Sequence, residues 1–294
     1  MNKQKKADLL LLLVTAFWGF SYYLTDLCLE EMPPMALNAF RFILAFIVLG
    51  ILFFKRIRKL NLITLKYSFY IGIALTGTYI FYAYGISRTT LSNAAFICAL
   101  TVIFTPLLEF IFKRVKPTPK LFVCLVICVL GLALLTLNDT LIPKAGDIIC
   151  LGVPFCYAID LILTEKAVNT KGVDALNLGV FQLAVVGIIT LLISFMIEEP
   201  RLPKTGAIWT AALFLGLVCT GAAFVMQAVQ QKYTTANHVG LIFTLEPVFA
   251  SIIAYIFAGE VLRGRSYMGM LLMMFSLVLM EVELPFIKSF SRKK

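Results

Sequence analysis

Ten long apolar runs dominate the chain, at residues 8–27, 35–54, 67–86, 92–112, 120–138, 147–167, 175–197, 207–229, 237–258 and 266–284, with short polar turns between them. About 20 apolar residues suffice for a helix to cross the hydrocarbon core. The pattern predicts an all-α membrane protein of ten transmembrane helices, with no loop long enough for an inserted soluble domain. One run carries a polar interruption at its centre. Glu246 and Pro247 sit midway between Asn237 and Ala258, where an ionisable group is costly and marks a functional site by default. Pro247 cannot donate to the carbonyl of Phe243, so a bend is expected there, against protein or a wet cavity.

The runs fall into two sets of five. Gly72 to Gly77 (GIALTG) matches Gly216 to Gly221 (GLVCTG), and Thr89-Thr90 matches Thr234-Thr235. The register then continues without gaps, pairing Leu100 with Leu245, Phe104 with Phe249 and Phe112 with Phe257. Residues 1–140 and 141–294 are therefore expected to be two five-helix repeats. Five is odd, so the halves face opposite ways across the membrane, an inverted-repeat architecture typical of secondary transporters. The small residues of the repeated glycine segments suit close packing of the third and eighth helices.

Composition agrees and charge adds orientation. The 294 residues are 61% hydrophobic and 14% charged, with mean hydropathy +0.93, outside the range of soluble globular domains. The formal charge of +10 does not form a nucleic-acid face, because the basic residues lie in clusters between apolar runs. With the N-terminus cytoplasmic, 19 of the 26 Lys and Arg residues fall inside, six outside, and Arg41 lies within the second run. That bias places both termini in the cytoplasm. Lys3, Lys5 and Lys6 before an apolar stretch mimic a signal peptide, but no small-residue cleavage site follows and Phe17, Trp18 and Gly19 continue the span. The seven cysteines imply neither a disulfide framework nor a metal site, and Cys124 and Cys128 share one helix face as packing residues.

Trp18-Gly19 in the first helix, Arg41 in the second, Thr89-Thr90 before the fourth, Leu245 to Phe249 (LEPVF) in the ninth and Gly259-Glu260 after it resemble the drug/metabolite transporter superfamily, and within it the EamA-type ten-helix exporters. The resemblance covers essentially the whole chain. It implies a carrier of amino acids, other metabolites or drugs, in a prokaryotic inner (plasma) membrane, and leaves the substrate open. It also implies that relatives with different substrates share Glu246, which favours a structural role there. Two positions depart from the pattern: Asp26 stands where a Lys is common, and Lys113-Arg114-Val115 where a Gly-Glu pair is expected.

The candidate substrate-binding residues are Trp18, Tyr22, Tyr79, Tyr82, Asn93, Phe96, Thr101, Tyr157, Asp160, Gln227 and Gln230, aromatics and short polar groups suited to a ligand with apolar bulk. Asp160, with Tyr157 and Thr164 one turn away on its face, suits an amine or the ammonium of an amino acid. Glu246 and Asp160 are the candidate carriers of a coupling proton. Arg41 and Asp26 are expected to pair; the competing role for Arg41 is to receive a substrate carboxylate. Pro247 and Glu260 are taken as structural, Glu109 as a partner for Lys113, and His238 as a capping or surface residue.

The expectation is a secondary transporter exporting small metabolites, amino acids or related amines, by alternating access. Its partners are the substrate, the lipid bilayer and, as coupling ion, protons. No nucleotide-binding loop of the Walker type is present and no cofactor is expected. Import or flipping of an amphiphile is the alternative within transport. An intramembrane enzyme lacks its motifs, with no HExxH and no GxSxG, and a receptor or scaffold lacks a soluble extension.

Overall fold

A computed structural model describes residues 3–86, 88–89, 96–114, 116–137, 145–257 and 264–281. Most of these residues are helical, and no strand occurs among them. The long helices are α1 Lys3–Leu29, α2 Pro34–Leu52, α3 Leu62–Ile86, α4 Phe96–Lys113, α5 Pro119–Thr136, α6 Ala145–Val168, α7 Ala175–Ile197, α8 Gly206–Tyr233, α9 Ala236–Phe257 and α10 Gly264–Glu281, with one further turn of helix at Phe54–Ile57. Eight of them are long and apolar enough to cross a membrane. Of the other two, α3 has the length at 25 residues but is diluted by tyrosine, threonine and glycine, and α10 is slightly short.

Local chemistry sets the helix starts. Thr118, Asp174, Thr205 and Thr235 each accept from backbone N–H groups of the turn that follows, and prolines occupy the first turns of α2 and α5. Two acidic residues cap helices remote in sequence. Glu198 accepts from Met35 N and Ala36 N (3.1 and 3.0 Å) at the start of α2, and Glu31 accepts from Lys204 N and Thr205 N (2.5 and 3.2 Å) at the start of α8. A carboxylate there meets orphan donors and the positive end of the helix dipole.

The main packing contacts map onto one another when α1–α5 are exchanged for α6–α10. α3 packs on α6 and α7 as α8 packs on α1 and α2; α4 packs on α6 as α9 packs on α1; α2 meets α7 and α5 meets α10. The repeated glycines make equivalent close approaches. A Cβ on Gly72 would lie 2.5 Å from Val185 Cβ of α7, and one on Gly216 would lie 2.9 Å from Leu44 Cδ2 of α2.

Two helices are interrupted, at equivalent places. In α4 Leu100 N donates to Ile97 O (3.1 Å), while Ile103 N and Phe104 N both donate to Leu100 O. In α9 Leu245 N donates to Ile242 O (3.1 Å), while Val248 N and Phe249 N both donate to Leu245 O. The bend expected at Pro247 therefore falls two to three residues earlier, at Thr244–Leu245. Pro247 sits in the first turn of the second half, where its missing N–H is harmless. α4 makes the same break with Val102 in that place, so proline is not its cause. Two other helices are irregular: α6 carries a turn at Leu151 between Ala145–Cys150 and Gly152–Val168, and α8 has a π-helical stretch, Leu215–Ala222, whose Thr220 hydroxyl donates to Leu215 O five residues back.

The largest buried cluster joins Leu11 and Trp18 of α1, Phe42 of α2, Leu161 of α6, Phe224 of α8 and Phe243 of α9. A second lies between α5, α9 and α10. It holds Cys124 and Cys128, which pack as expected, Cys128 Sγ bonding Thr244 Oγ1 at 3.2 Å.

Candidate functional site

Polar side chains converge where α1, α2, α3, α6, α8 and α9 meet. Asp160 of α6 is 1% exposed, and its Oδ2 accepts from Gln227 Nε2 of α8 at 3.3 Å. Gln227 Oε1 in turn accepts from the Tyr157 hydroxyl at 3.5 Å. Asp160 Oδ1 and Thr164 Oγ1 are buried without a hydrogen-bond partner among the described residues. A buried carboxyl with one oxygen unmatched is costly, and it offers a place for a proton or a cationic ligand group.

Arg41 is 4% exposed. Its Nε donates to Thr220 Oγ1 at 2.7 Å, and its guanidinium lies 5.4 Å from the Tyr79 ring centre and 5.5 Å from that of Phe42. The ion pair with Asp26 expected from the sequence is not made. Asp26 is exposed at the end of α1, whereas the Thr220 hydroxyl and the Tyr79 face draw Arg41 inward. Among the described residues no carboxylate lies within ion-pair distance of Arg41. The Tyr79 phenol lies within electrostatic reach of Arg41, Glu246 and Asp160.

Glu246 opens the second half of α9 and lies within electrostatic reach of the Tyr22 hydroxyl. A carboxylate at a helix N-terminus is favourable, so the residue has a local structural reason to be there as well as access to the central cluster. Trp18 packs against Tyr157, Phe224 and Phe243 with ring centres 4.7 to 6.1 Å away, and its Nε1 donates to Cys219 O at 3.0 Å. Tyr82 lies near Glu246.

The remaining candidates scatter. Phe96 packs against the α5–α9–α10 cluster, Thr101 donates to Cys98 O at 2.9 Å, and Gln230 is partly exposed one turn from Gln227. Asn93 and Glu260 lie outside the described residues. Thr220, Phe243 and Gln231, which donates to Leu161 O at 2.6 Å, join the site or its wall without having been singled out in the sequence.

A second polar cluster joins α1, α4, α6 and α9 at the end of the bundle that holds the start of α1. Lys113 Nζ lies 2.6 Å from Glu109 Oε1 and 3.0 Å from Glu165 Oε2, and Asn237 Nδ2 donates to Glu109 Oε2 at 2.5 Å. His238 Nε2 lies 3.4 Å from Asp8 Oδ1. His238 is buried, which corrects the expectation of a surface residue: the turn after Thr235 directs it against α1 rather than into solvent.

Buried charges held between apolar helices, gathered in one region and closed off at one end by a second polar cluster, define a polytopic membrane protein with a polar interior. The chain belongs to the EamA-like transporter family, which residues 5–137 and 144–282 each match. It is similar to proteins described as uncharacterized transporters. One from Archaeoglobus fulgidus is 24% identical over 287 residues, covering 95% of this chain and 87% of that protein. One from Methanothermobacter thermautotrophicus is 26% identical, covering 87% and 81%, and YwfM of Bacillus subtilis is 22% identical, covering 93% of each. A solved crystal structure 14% identical in sequence superposes with a TM-score of 0.80 over 94% of this chain and 96% of its own, a likeness of fold. The protein is a multi-pass membrane transporter.

Proposed function

We propose that the transporter has ten spans arranged as two inverted five-helix repeats, residues 1–140 and 141–294, with both termini cytoplasmic, and that it exports small zwitterions of the amino-acid type. The repeat is supported by the separate family matches of the two halves, by the exchangeable packing pattern and by the matching breaks at Leu100 and Leu245. Orientation is supported by the 19 to six distribution of basic residues.

The observation that carries the substrate reading is Arg41. Among the described residues the buried Arg41 guanidinium makes no ion pair and is held only by the Thr220 hydroxyl and the faces of Tyr79 and Phe42, so its charge is not matched by a carboxylate within ion-pair distance. Its planar fork suits a substrate carboxylate, while Asp160, with one unmatched oxygen, suits the ammonium. Trp18, Tyr79 and Tyr157 give apolar bulk its place between them. Alternating access closes the cytoplasmic end through the Glu109–Lys113–Glu165–Asn237 cluster and the Asp8–His238 contact, which join helices of both halves. Opening that end breaks these contacts and carries the substrate past them. Protons are the proposed coupling ion, with Asp160 or Glu246 their carrier.

Flux in proteoliposomes tests this reading. Pools of amino acids, polyamines and aromatic amines are offered with and without an imposed pH gradient. Counterflow of amino acids, accelerated by the gradient, is the expected result. Counterflow of amines alone removes the role given to Arg41, and indifference to the gradient removes proton coupling.

A further inference from the structure

Three buried side-chain oxygens along the contact of α6 with α8 have no hydrogen-bond donor among the described residues: Asp160 Oδ1, Thr164 Oγ1 and Gln231 Oε1. Two hydrogen bonds fix how the helices meet there. Gln227 Nε2 donates to Asp160 Oδ2 at 3.3 Å, and Gln231 Nε2 donates to Leu161 O at 2.6 Å. A helical carbonyl points toward the residue four places on, so the Gln231 amide sits against the turn 161–165, which contains Thr164. Asp160 and Thr164 are one turn apart on the same face of α6, and Gln231 is seated at Leu161 between them.

Partners also set the direction of each amide. A backbone carbonyl only accepts, so the Gln231 nitrogen faces Leu161 and its oxygen is the unmatched end. The Gln227 amide is occupied at both ends, by Asp160 Oδ2 and by the Tyr157 hydroxyl. What remains is a surplus of acceptors: a carboxylate oxygen, a hydroxyl and an amide carbonyl. Native interiors leave few polar atoms unmatched, and three around one turn of a helix contact call for a donor-rich ligand. A primary ammonium group carries three N–H donors, one positive charge and no acceptor.

We propose that Asp160, Thr164 and Gln231 form a three-acceptor cradle for a primary ammonium group, which selects primary amines over their N-methylated forms. Thr164 and Gln231 are then specificity-determining residues. Each N-methyl removes one donor and leaves a buried oxygen desolvated and unmatched. A site built to hydrogen-bond a group rejects analogues lacking it far more strongly than an apolar pocket does. The cradle rests on the reading of Asp160 as the ammonium site and is independent of the carboxylate role given to Arg41.

The test reads affinities from ligand-induced melting shifts of the full-length protein in detergent. The probes are ethylamine and phenethylamine, the parent amino acids alanine and phenylalanine, and the N-methylated forms of all four. In the wild type, affinity should fall by roughly 5- to 150-fold for each methyl. Thr164→Val should weaken the primary amines by a similar factor and make the first methyl nearly without further effect, and Thr164→Ser should restore the wild-type ranking. The unliganded midpoint of Thr164→Val should not fall, because among the described residues its hydroxyl has no partner to lose. Gln231→Met should flatten the ranking in the same way. Equal affinity for primary and N-methylated forms, or a Thr164→Val variant with the wild-type ranking, overturns the cradle. The expected ranking among the amines with no binding of the amino acids keeps the cradle and overturns the zwitterion reading; amino acids that bind without any ranking do the reverse. Stabilisation by NaCl over KCl with no response to any amine gives the oxygens to a metal ion and overturns the cradle, and no response to any probe overturns it too.

Discussion

Replacing Arg41 with glutamine separates a substrate-binding guanidinium from a structural one. The variant removes the charge and retains a hydrogen-bonding head near Thr220, whose own hydroxyl still donates to Leu215 O at 2.9 Å and is not orphaned. A charge-assisted hydrogen bond is worth about 1.5–3 kcal/mol. Losing it should weaken carboxylate-bearing ligands by roughly 10- to 150-fold and leave the corresponding decarboxylated amines unchanged. The effect on folding runs the other way. Breaking a buried ion pair costs about 3–5 kcal/mol because a charge is left behind, but Arg41 makes no ion pair among the described residues, so the thermal midpoint of Arg41→Gln should hold or rise. Binding is read by ligand-induced shifts in melting temperature for matched amino acid and amine pairs, and folding by the unliganded midpoint. Equal weakening of both ligand types, or a midpoint lowered by the amount a broken ion pair implies, refutes the assignment.

Four further outcomes follow. Asp160→Asn should weaken cationic and zwitterionic ligands by about 1 kcal/mol or more, read by the same shifts, and unchanged affinity removes it from the site. Glu246→Gln should abolish gradient-driven flux and leave substrate exchange intact if Glu246 carries the proton; loss of both returns the residue to its place as a helix-start carboxylate. Gly19→Ala puts a Cβ 2.4 Å from Phe249 Cβ and 2.8 Å from Ala250 N, where α9 backbone cannot yield, and should lower the melting temperature by an overpacking cost of about 1–3 kcal/mol. Glu31 is held below the usual carboxylate range chiefly by the backbone N–H of Lys204 and then by Thr205. Its stabilising contribution is complete above the ordinary carboxylate pKa and disappears as pH falls through the lowered value, so Glu31→Gln should flatten the acid side of a melting-temperature profile; an unaltered acid side would contradict the cap.

Much of the helix order was legible because apolar length is a property of single segments. The central residues Trp18, Tyr79, Tyr157 and Asp160 were legible too, since polar and aromatic groups inside apolar runs stand out. The rest depends on how helices turn relative to one another. Arg41 looked paired with Asp26 because the two lie at a similar level, but level says nothing of azimuth, and Arg41 turns to Thr220. Thr220 and Gln231 were missed because the π-helical stretch and the 3-10 turn at Gln231–Tyr233 rotate the face of α8 away from a regular helical period. The break in α4 left no sign, having no proline to announce it. His238 was expected to cap a helix or lie at the surface because a helix end was taken for an exposed one.

Thr76 and Thr220 occupy the same place in the two halves yet bond differently. Thr76 donates to Gly72 O four residues back, and Thr220 donates to Leu215 O five residues back. Two strictly equivalent inverted halves would give inward-open and outward-open forms of equal energy, each the image of the other. The wider coil in α8 lifts that degeneracy, since it is there that Trp18 and Arg41 anchor, through Cys219 O and Thr220 Oγ1. In the proposed alternating-access cycle the empty carrier would then favour one orientation, and an experiment that counts inward- and outward-open molecules should find unequal populations without any gradient.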